Sequence, residues 1–304
     1  MFYLSRYMFN FLPKPLVGIL ASSLLLINVV FWCSCLFVFA LIKVIIPLKP
    51  WHNLVTPILT KIAECWVMCN SGWMALTQKT HWDVEGLSDL NYKGWYLVNA
   101  NHQSWVDILV LQHLLKGRIP LLKFFLKQEL IRVPIMGLSW WALDFPFMKR
   151  FSREYLEKHP EMRGKDLETT RVACEKFART PTSVMNFMEG TRFTEKKHSK
   201  QQSPYQNLLK PKAGGIAFAL SAMGDKFQSL LNITIVYPDG IPSFWDFLCG
   251  RIKNVKVRIE VEPIPAHFTQ KDYNEDDEFR AEFQQWTHEM WLKKDALISE
   301  LQTN

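Results

Sequence analysis

A chain of 304 residues is long enough for one sizeable domain with extensions, whose core needs no disulfide to hold it. Hydrophobic residues make up 48% of it and include 12 Trp, and their concentration at the N-terminus argues against a purely soluble protein. The net charge is +7, and residues 116–165, with 11 basic and 5 acidic side chains, supply +6 of it; no nucleic-acid motif accompanies this basic window, so it points to an anionic membrane surface or a phosphorylated substrate and away from a nucleic-acid partner.

Leu16 to Ile42 carries no charged residue over 27 positions. At about 1.5 Å per residue such a helix exceeds the roughly 30 Å hydrocarbon core of a bilayer. It is too long for the apolar part of a secretory signal, and no small-residue cleavage site follows it. The segment is predicted to be a membrane-embedded helix. Arg6 and Lys14 nearly balance Lys43 and Lys49, so the flanking charges do not decide whether it spans. After Pro47 and Pro50, Val55, Ile58, Ile62, Trp66, Cys69 and Trp73 form one helical face within Leu54 to Leu76. That helix either lies in the membrane interface or covers the following domain.

From about Trp82 short apolar runs alternate with amphipathic stretches. Strands are predicted at His81 to Glu85, Trp95 to Asn99, Ser183 to Met188, Leu231 to Val236 and Val255 to Glu262. Helices are predicted at Trp105 to Lys116, Lys165 to Arg179 and Gly215 to Met223. The alternation predicts an α/β domain with a sheet flanked by helices, which gathers functional groups at the carboxyl ends of its strands. A charged break, Thr269 to Asp277, leads into a last helix with Phe279, Phe283, Trp286, Met290, Leu297 and Leu301 on one side, read as packing surface. The organisation is then a membrane-embedded or interfacial region (1–78), a catalytic domain (79–265) and a C-terminal amphipathic helical extension (266–304).

His102 and Asp107 lie five apart at the strand-to-helix turn Asn101-His102-Gln103-Ser104-Trp105-Val106-Asp107. An imidazole there, with a carboxylate one helical turn inward, suits a general base held in one tautomer. Taken alone, the spacing better suits a helix start, with Ser104 as cap and Asp107 bonding back to it or favouring the helix dipole. The same spacing recurs at His267 and Asp272, in a polar stretch with no strand leading into it, and there it carries no functional reading. Glu189-Gly190-Thr191-Arg192 also ends an apolar run and offers a guanidinium on a loop opened by glycine. Ser104 lacks flanking glycines, so no nucleophile elbow is present. Gly214-Gly215 before a helix reads as tight packing rather than an anion site. The 6 Cys show neither zinc nor disulfide spacing and read as reduced hydrophobes of a cytoplasm-facing protein; no metal is expected.

Four blocks in order, Asn101-His102 with Asp107, Phe147-Met148-Lys149-Arg150, Glu189 to Arg192, and Tyr237-Pro238, resemble the glycerolipid acyltransferase family, which acylates lysophosphatidic acid and related lysolipids. Lys127-Gln128-Glu129-Leu130, followed by Pro134 and Gly137, adds to the likeness, which covers roughly residues 80–265. Trp140 to Arg150, Ser243 to Gly250 and Trp286 to Leu297 look similar to the lysocardiolipin and broad lysophospholipid branch. The chain departs from many members at Met188, where they carry Pro, and at Lys149, where many have an acidic residue. The second departure opens the identity of the acceptor.

The resemblance implies the glycerolipid acyltransferase fold, a mixed sheet flanked by helices and preceded by a pair of N-terminal membrane-associated helices. It implies an acyl group moving from an acyl thioester, on coenzyme A or acyl carrier protein, to the sn-2 hydroxyl of 1-acyl-glycerol-3-phosphate. No cofactor is expected beyond that co-substrate. Membrane lipids are the expected partners, and the expected place is the inner (cytoplasmic) membrane with the catalytic domain facing the cytoplasm. Other acceptors, lysophosphatidylglycerol or lysocardiolipin, remain open, as does a non-catalytic protein that binds anionic lipid. His102 is then the base and Asp107 its partner. Arg150, Arg192 and Lys127 are expected at the acceptor's phosphate, with Gly190 allowing close backbone approach and Thr191 adding a hydroxyl donor. Glu189, which charge keeps from the phosphate, is expected to orient Arg192 or a substrate hydroxyl.

Overall fold

The computed structural model describes residues 9, 11–46, 48–145, 147–148, 159, 180–269, 273 and 276–303. The uncharged run forms α1 (Lys14–Ile45), and α2 (Lys49–Thr77) folds back along it as a hairpin. Pro50 does not break α2. It sits in the first turn, where its missing N–H has no intrahelical partner to lose. The buried stripe of α2 runs through Val55, Leu59, Ala63, Val67, Asn70 and Met74. It keeps Val55 and Trp73 of the predicted face, with Ile62 and Trp66 partly buried at its edge, while Cys69 is exposed. The hairpin is pinned by a buried polar pair: Asn28 Nδ2 donates to Asn70 Oδ1 (2.8 Å), which also accepts from Trp73 Nε1 (3.1 Å). Leu26, Ile27, Val30, Phe31, Val38 and Leu41 point outward from α1 with half or more of their surface uncovered. By length and composition α1 is able to cross a membrane.

The remaining chain builds a six-stranded mixed sheet. Its strands are β1 (His81–Glu85), β2 (Tyr96–Ala100), β3 (Leu122–Phe124), β6 (Ser183–Phe187), β7 (Ser229–Val236) and β8 (Asn254–Glu262), in the order β1-β8-β7-β2-β6-β3. Only the β7–β8 pair is antiparallel. A separate parallel pair joins β4 (Leu126–Lys127) to β5 (Phe147–Met148). The five predicted strands all form, within two residues of their expected ends. The pieces β3, β4 and β5 are too short to show a period.

β2 is buried throughout, and its side chains alternate between two cores. Tyr96, Val98 and Ala100 pack with Val106, Val110, Leu111 and Leu115 of α3 (Val106–Leu115). Leu97 faces the other way, toward Ile216 and Leu220 of a helix at Gly214–Met223 and Phe283 and Trp291 of one at Asp277–Thr303. Both faces are therefore covered, as the alternation predicted. In chain order the remaining α-helices among the described residues are α4 (Met136–Ala142), α5 (Glu195–Gln201), α6 (Gly214–Met223), α7 (Phe244–Leu248) and α8 (Asp277–Thr303). A third cluster, Leu36, Val55, Leu59 and Ala63 against Leu126, Leu143 and Phe145, seats the hairpin on the β4 and α4 segment. Lys14 donates to the Gly250 carbonyl (3.1 Å) and Lys43 pairs with Asp144 (2.7 Å), which ties both ends of α1 to the α/β domain. The predicted helix Lys165 to Arg179 lies outside the described residues.

The buried face of α8 differs from its sequence reading. It includes Trp291 and Lys294, both essentially inaccessible, in addition to Phe279, Phe283, Met290 and Leu301. A lysine breaks a hydrophobic count, so Lys294 was invisible to the periodicity.

Candidate active site

Register places the site. Ala100, at the carboxyl end of β2, pairs with Phe187 of β6 on one side and Ile233 of β7 on the other. The segments that follow these three parallel strands converge, and His102 lies among them. Asn101 closes one flank: its Nδ2 donates to the Ile235 carbonyl (2.9 Å) and its Oδ1 accepts from the Ile235 N–H (2.8 Å).

His102 Nδ1 lies 2.9 Å from Asp107 Oδ2. A carboxylate only accepts, so Nδ1 carries the proton and Nε2 is left with the lone pair. Asp107 is fully buried, and Oδ2 also accepts the N–H groups of Gln103 (2.7 Å) and Ser104 (2.9 Å). Oδ1 accepts the Tyr237 hydroxyl at 2.6 Å. Burial and the adjacent Asp107 carboxylate hold the Tyr237 phenol well above its usual pKa, so it remains a donor. Four donors thus fix one charged carboxylate. Asp107 serves both readings of the sequence at once, capping the turn and orienting the imidazole. The ring of His102 lies flat on Phe187, centroids 3.9 Å apart and planes 12° apart.

Ser104 donates to the Pro242 carbonyl (2.7 Å) and accepts from the Val106 N–H (3.3 Å). Its hydroxyl fastens the turn to the segment before α7, and α7 packs on α1. The second His–Asp spacing has no such setting: His267 pairs with Glu282 on the surface (3.0 Å), and Asp272 lies outside the described residues.

Glu189 requires a correction. It is fully buried and reaches neither Arg192 nor the open site. Oε1 accepts the His102 N–H (2.7 Å) and Oε2 accepts the Leu209 N–H (3.1 Å). Desolvation pushes its pKa up to about 7, against those two bonds and the Lys294 charge, which favour the carboxylate. With the Phe193 N–H donating to the His102 carbonyl (2.7 Å), the backbone of His102 is held on both sides by the turn after β6. Glu189 is a scaffold for the His102 backbone.

That turn carries the cations. Gly190 has φ +65°, a conformation side chains disfavour, and a Cβ there would come within 3.1 Å of Lys212 Nζ. Thr191 Oγ1 accepts from Lys197 Nζ (2.8 Å), which leaves the hydroxyl proton available to a ligand. Arg192 is exposed, and its guanidinium lies over the Trp105 ring, 4.6 Å from the centroid. Lys197 and Lys212 escaped sequence reasoning because nothing in their local pattern ties them to the Gly190 turn. Lys127 lies on β4 opposite Met148 of β5, so the Lys127 block and the Phe147-Met148 block meet through backbone pairing. Arg150 and Lys149 fall outside the described residues. Gly215 shows the tight packing expected of it: a Cβ would lie 3.1 Å from Asn186 Oδ1. Among the described residues no cluster of His, Cys, Asp or Glu is arranged to hold a metal.

Comparison with known proteins converges on the same segment. Residues 81–238 match the family model described as Acyltransferase. The chain is 26% identical over 238 residues to 1-acyl-sn-glycerol-3-phosphate acyltransferase gamma of Mus musculus, covering 74% of this chain and 58% of that protein. It is 26% identical over 240 residues to 2-acyl-1-lysophosphatidylinositol acyltransferase of Saccharomyces cerevisiae, covering 66% and 59%. The chain thus spans a little over half the length of these curated relatives. The crystal structure of the 1-acyl-sn-glycerophosphate acyltransferase PlsC from Thermotoga maritima superposes with a TM-score of 0.52 at 17% identity, over 96% of this chain and 98% of that one, and shares its fold. Because the family match begins at β1, runs through the His102 turn to Pro238 and takes in more than half of the residues, the chain belongs to the acyltransferase family.

Proposed function

We propose that the protein is a membrane-bound O-acyltransferase that moves a fatty acyl group from an acyl thioester to the sn-2 hydroxyl of 1-acyl-glycerol-3-phosphate. The observation that carries this reading is the His102–Asp107 pair, with Nδ1 occupied by a buried, four-fold bonded carboxylate and Nε2 left as the base. His102 Nε2 takes the proton as the lysolipid oxygen attacks the thioester carbonyl. Asp107 stabilises the imidazolium that forms. The tetrahedral intermediate collapses by breaking the C–S bond, and the thiolate leaves with the proton returned from His102. General-base assistance of this kind contributes about 10²- to 10⁴-fold.

Arg192, with Lys197 and Lys212 beside the same turn, supplies the positive charge for the acceptor's phosphate. Lys127 and Arg150 are assigned to the same phosphate. The outward apolar side chains of α1 support a place in the membrane, and the reduced-cysteine reading supports a cytoplasmic face. The donor is acyl-CoA or acyl carrier protein. A second acceptor class, lysophospholipids with a larger headgroup, is favoured by Lys149 and by the relative named for lysophosphatidylinositol.

The test uses membranes containing the protein, a labelled acyl thioester of each donor type and a panel of lysolipids, with His102→Ala as control. Transfer to lysophosphatidic acid that vanishes in the variant is expected. Transfer confined to headgroup-bearing lysolipids selects the second reading. Transfer that persists in His102→Ala, or none from wild type with either donor, rejects the mechanism.

A further inference from the structure

The C-terminal helix reaches the site through a route that the reaction chemistry does not require. Trp291 Nε1 donates to the Leu209 carbonyl at 3.0 Å. The N–H of the same Leu209 donates to Glu189 Oε2 (3.1 Å), and Glu189 Oε1 accepts the N–H of His102 (2.7 Å). Trp291, Leu209 and Glu189 are all fully buried, so water replaces none of these bonds. A few residues along α8, Lys294 is buried as completely; its Nζ donates to the Ile233 carbonyl (2.6 Å) and approaches Thr234 Oγ1 (3.1 Å) on β7. Ile233 is the register partner of Ala100, and Ile235, two residues on, holds Asn101 by both polar atoms of its side chain. The helix therefore holds two segments, the Leu209 loop and β7, that in turn hold Asn101 and His102 through Glu189 and Ile235.

We propose that Trp291 and Lys294 are positioning residues for acyl transfer, Trp291 holding the His102 backbone through Leu209 and Glu189, and Lys294 anchoring β7, the strand whose Ile235 holds Asn101 beside His102, with a buried charge that favours the ionised Glu189. The assignment rests on the acyltransferase reading given above. Burying an ammonium is costly, and the bonds to Ile233 and Thr234 together with the facing carboxylates offset that cost, whereas a methionine of similar length fills the space without anchoring β7. The groups facing the pair are few. Lys294 is met by the charges of Glu189 and of Glu260 and Glu262 on β8; Glu189 is met by Asp107 and Lys294. Desolvation draws the lysine down to about 7, against the charges of Glu260, Glu262 and then Glu189, and pushes the glutamate up to about 7, against its two N–H bonds and then the Lys294 charge, so loss of Lys294 favours the protonated Glu189. A protonated Glu189 has one oxygen fewer to accept with, and the His102 turn loses an anchor.

The experiment compares full-length wild type with Trp291→Phe, Trp286→Phe and Lys294→Met in labelled acyl transfer, with both KM values, the pH profile of kcat and the thermal transition recorded. Trp291→Phe keeps most of the ring packing and removes the N–H; kcat is expected to fall about ten-fold, the loss of one buried hydrogen bond, at unchanged KM. Trp286→Phe, on the same helix without a bond to Leu209, is expected to match wild type and controls for packing. Lys294→Met is expected to move the acid limb of the kcat profile to higher pH by at least half a unit, which loosened packing alone does not do. A Trp291→Phe kcat within two-fold of wild type, or an equal fall in Trp286→Phe, overturns the role of Trp291. Should Trp291→Phe fail to fold, the Lys294→Met profile decides, and an unshifted acid limb overturns the proposal. Wild-type transfer in the same assay tests the acyltransferase reading by itself; its absence removes both, whereas its presence beside unaffected variants removes only the inference.

Discussion

Replacing Asp107 by asparagine removes a charge and almost nothing else. With the amide oxygen in the place of Oδ2, the N–H groups of Gln103 and Ser104 and the proton on His102 Nδ1 keep their acceptor. The amide NH₂ then occupies the place of Oδ1 and donates to Tyr237, whose hydroxyl rotates to accept. What disappears is the attraction between a carboxylate and the imidazolium that forms during transfer. For unit charges about 4 Å apart at an effective dielectric near 20, that attraction is about 4 kcal/mol. At about 1.4 kcal/mol per decade, kcat should fall about 10³-fold. Initial rates of transfer from a labelled acyl thioester to 1-acyl-glycerol-3-phosphate measure it, with a thermal melt to verify the fold. KM for the lysolipid should stay put, since Asp107 has no exposed surface with which to touch a substrate. A kcat within ten-fold of wild type in a folded variant would refute the assignment of His102 as a base assisted by this carboxylate.

Arg192→Ala should chiefly raise KM for the lysolipid, and adding Lys197→Ala should raise it further; a pure loss of kcat at constant KM argues against phosphate binding at the Gly190 turn. Glu189 has a folded pKa of about 7 against an unfolded value near 4.5. The folded state binds the extra proton between those values, so this group's contribution to stability is fully present below about pH 4.5 and is lost as pH rises through 7. Glu189→Gln, which does not titrate, should flatten the corresponding slope in Tm between pH 5 and 7. Asn28→Leu removes the bond to Asn70 Oδ1, which keeps Trp73 Nε1 as donor, and should cost about 0.5–1.5 kcal/mol, while adding Asn70→Leu orphans the buried Trp73 N–H and should cost more; chemical denaturation in lipid or detergent distinguishes the two.

Much of the fold was readable in short-range pattern. The five longer strands showed as apolar runs, α3 and α6 as the helices between them, and α1 as an uncharged stretch long enough to cross a membrane. Reading the second hairpin helix was harder, because alternative stripes along Leu54 to Leu76 are nearly equally apolar. Packing against α1, through Asn28 and Asn70, selects the one that is buried. Short strands such as β3 and β4 hold no full period and exist through their partners β6 and β5.

The site divides in the same way. His102 and Asp107 are five residues apart, so one turn and the start of one helix bring them together, and the sequence by itself determined that pair. It also determined the apolar length of α1, since 27 uncharged residues need no partner to be recognised. The tertiary structure alone decided that Glu189 meets the His102 N–H across 87 positions, that Tyr237 meets Asp107 across 130, and that Trp291 meets Leu209 across 82. Periodicity records which face of an element is buried, whereas the neighbour on that face depends on the order of strands in the sheet. β2 lies between β6 and β7, and that adjacency turns a glutamate that looked like a substrate ligand into a buried support for the His102 backbone.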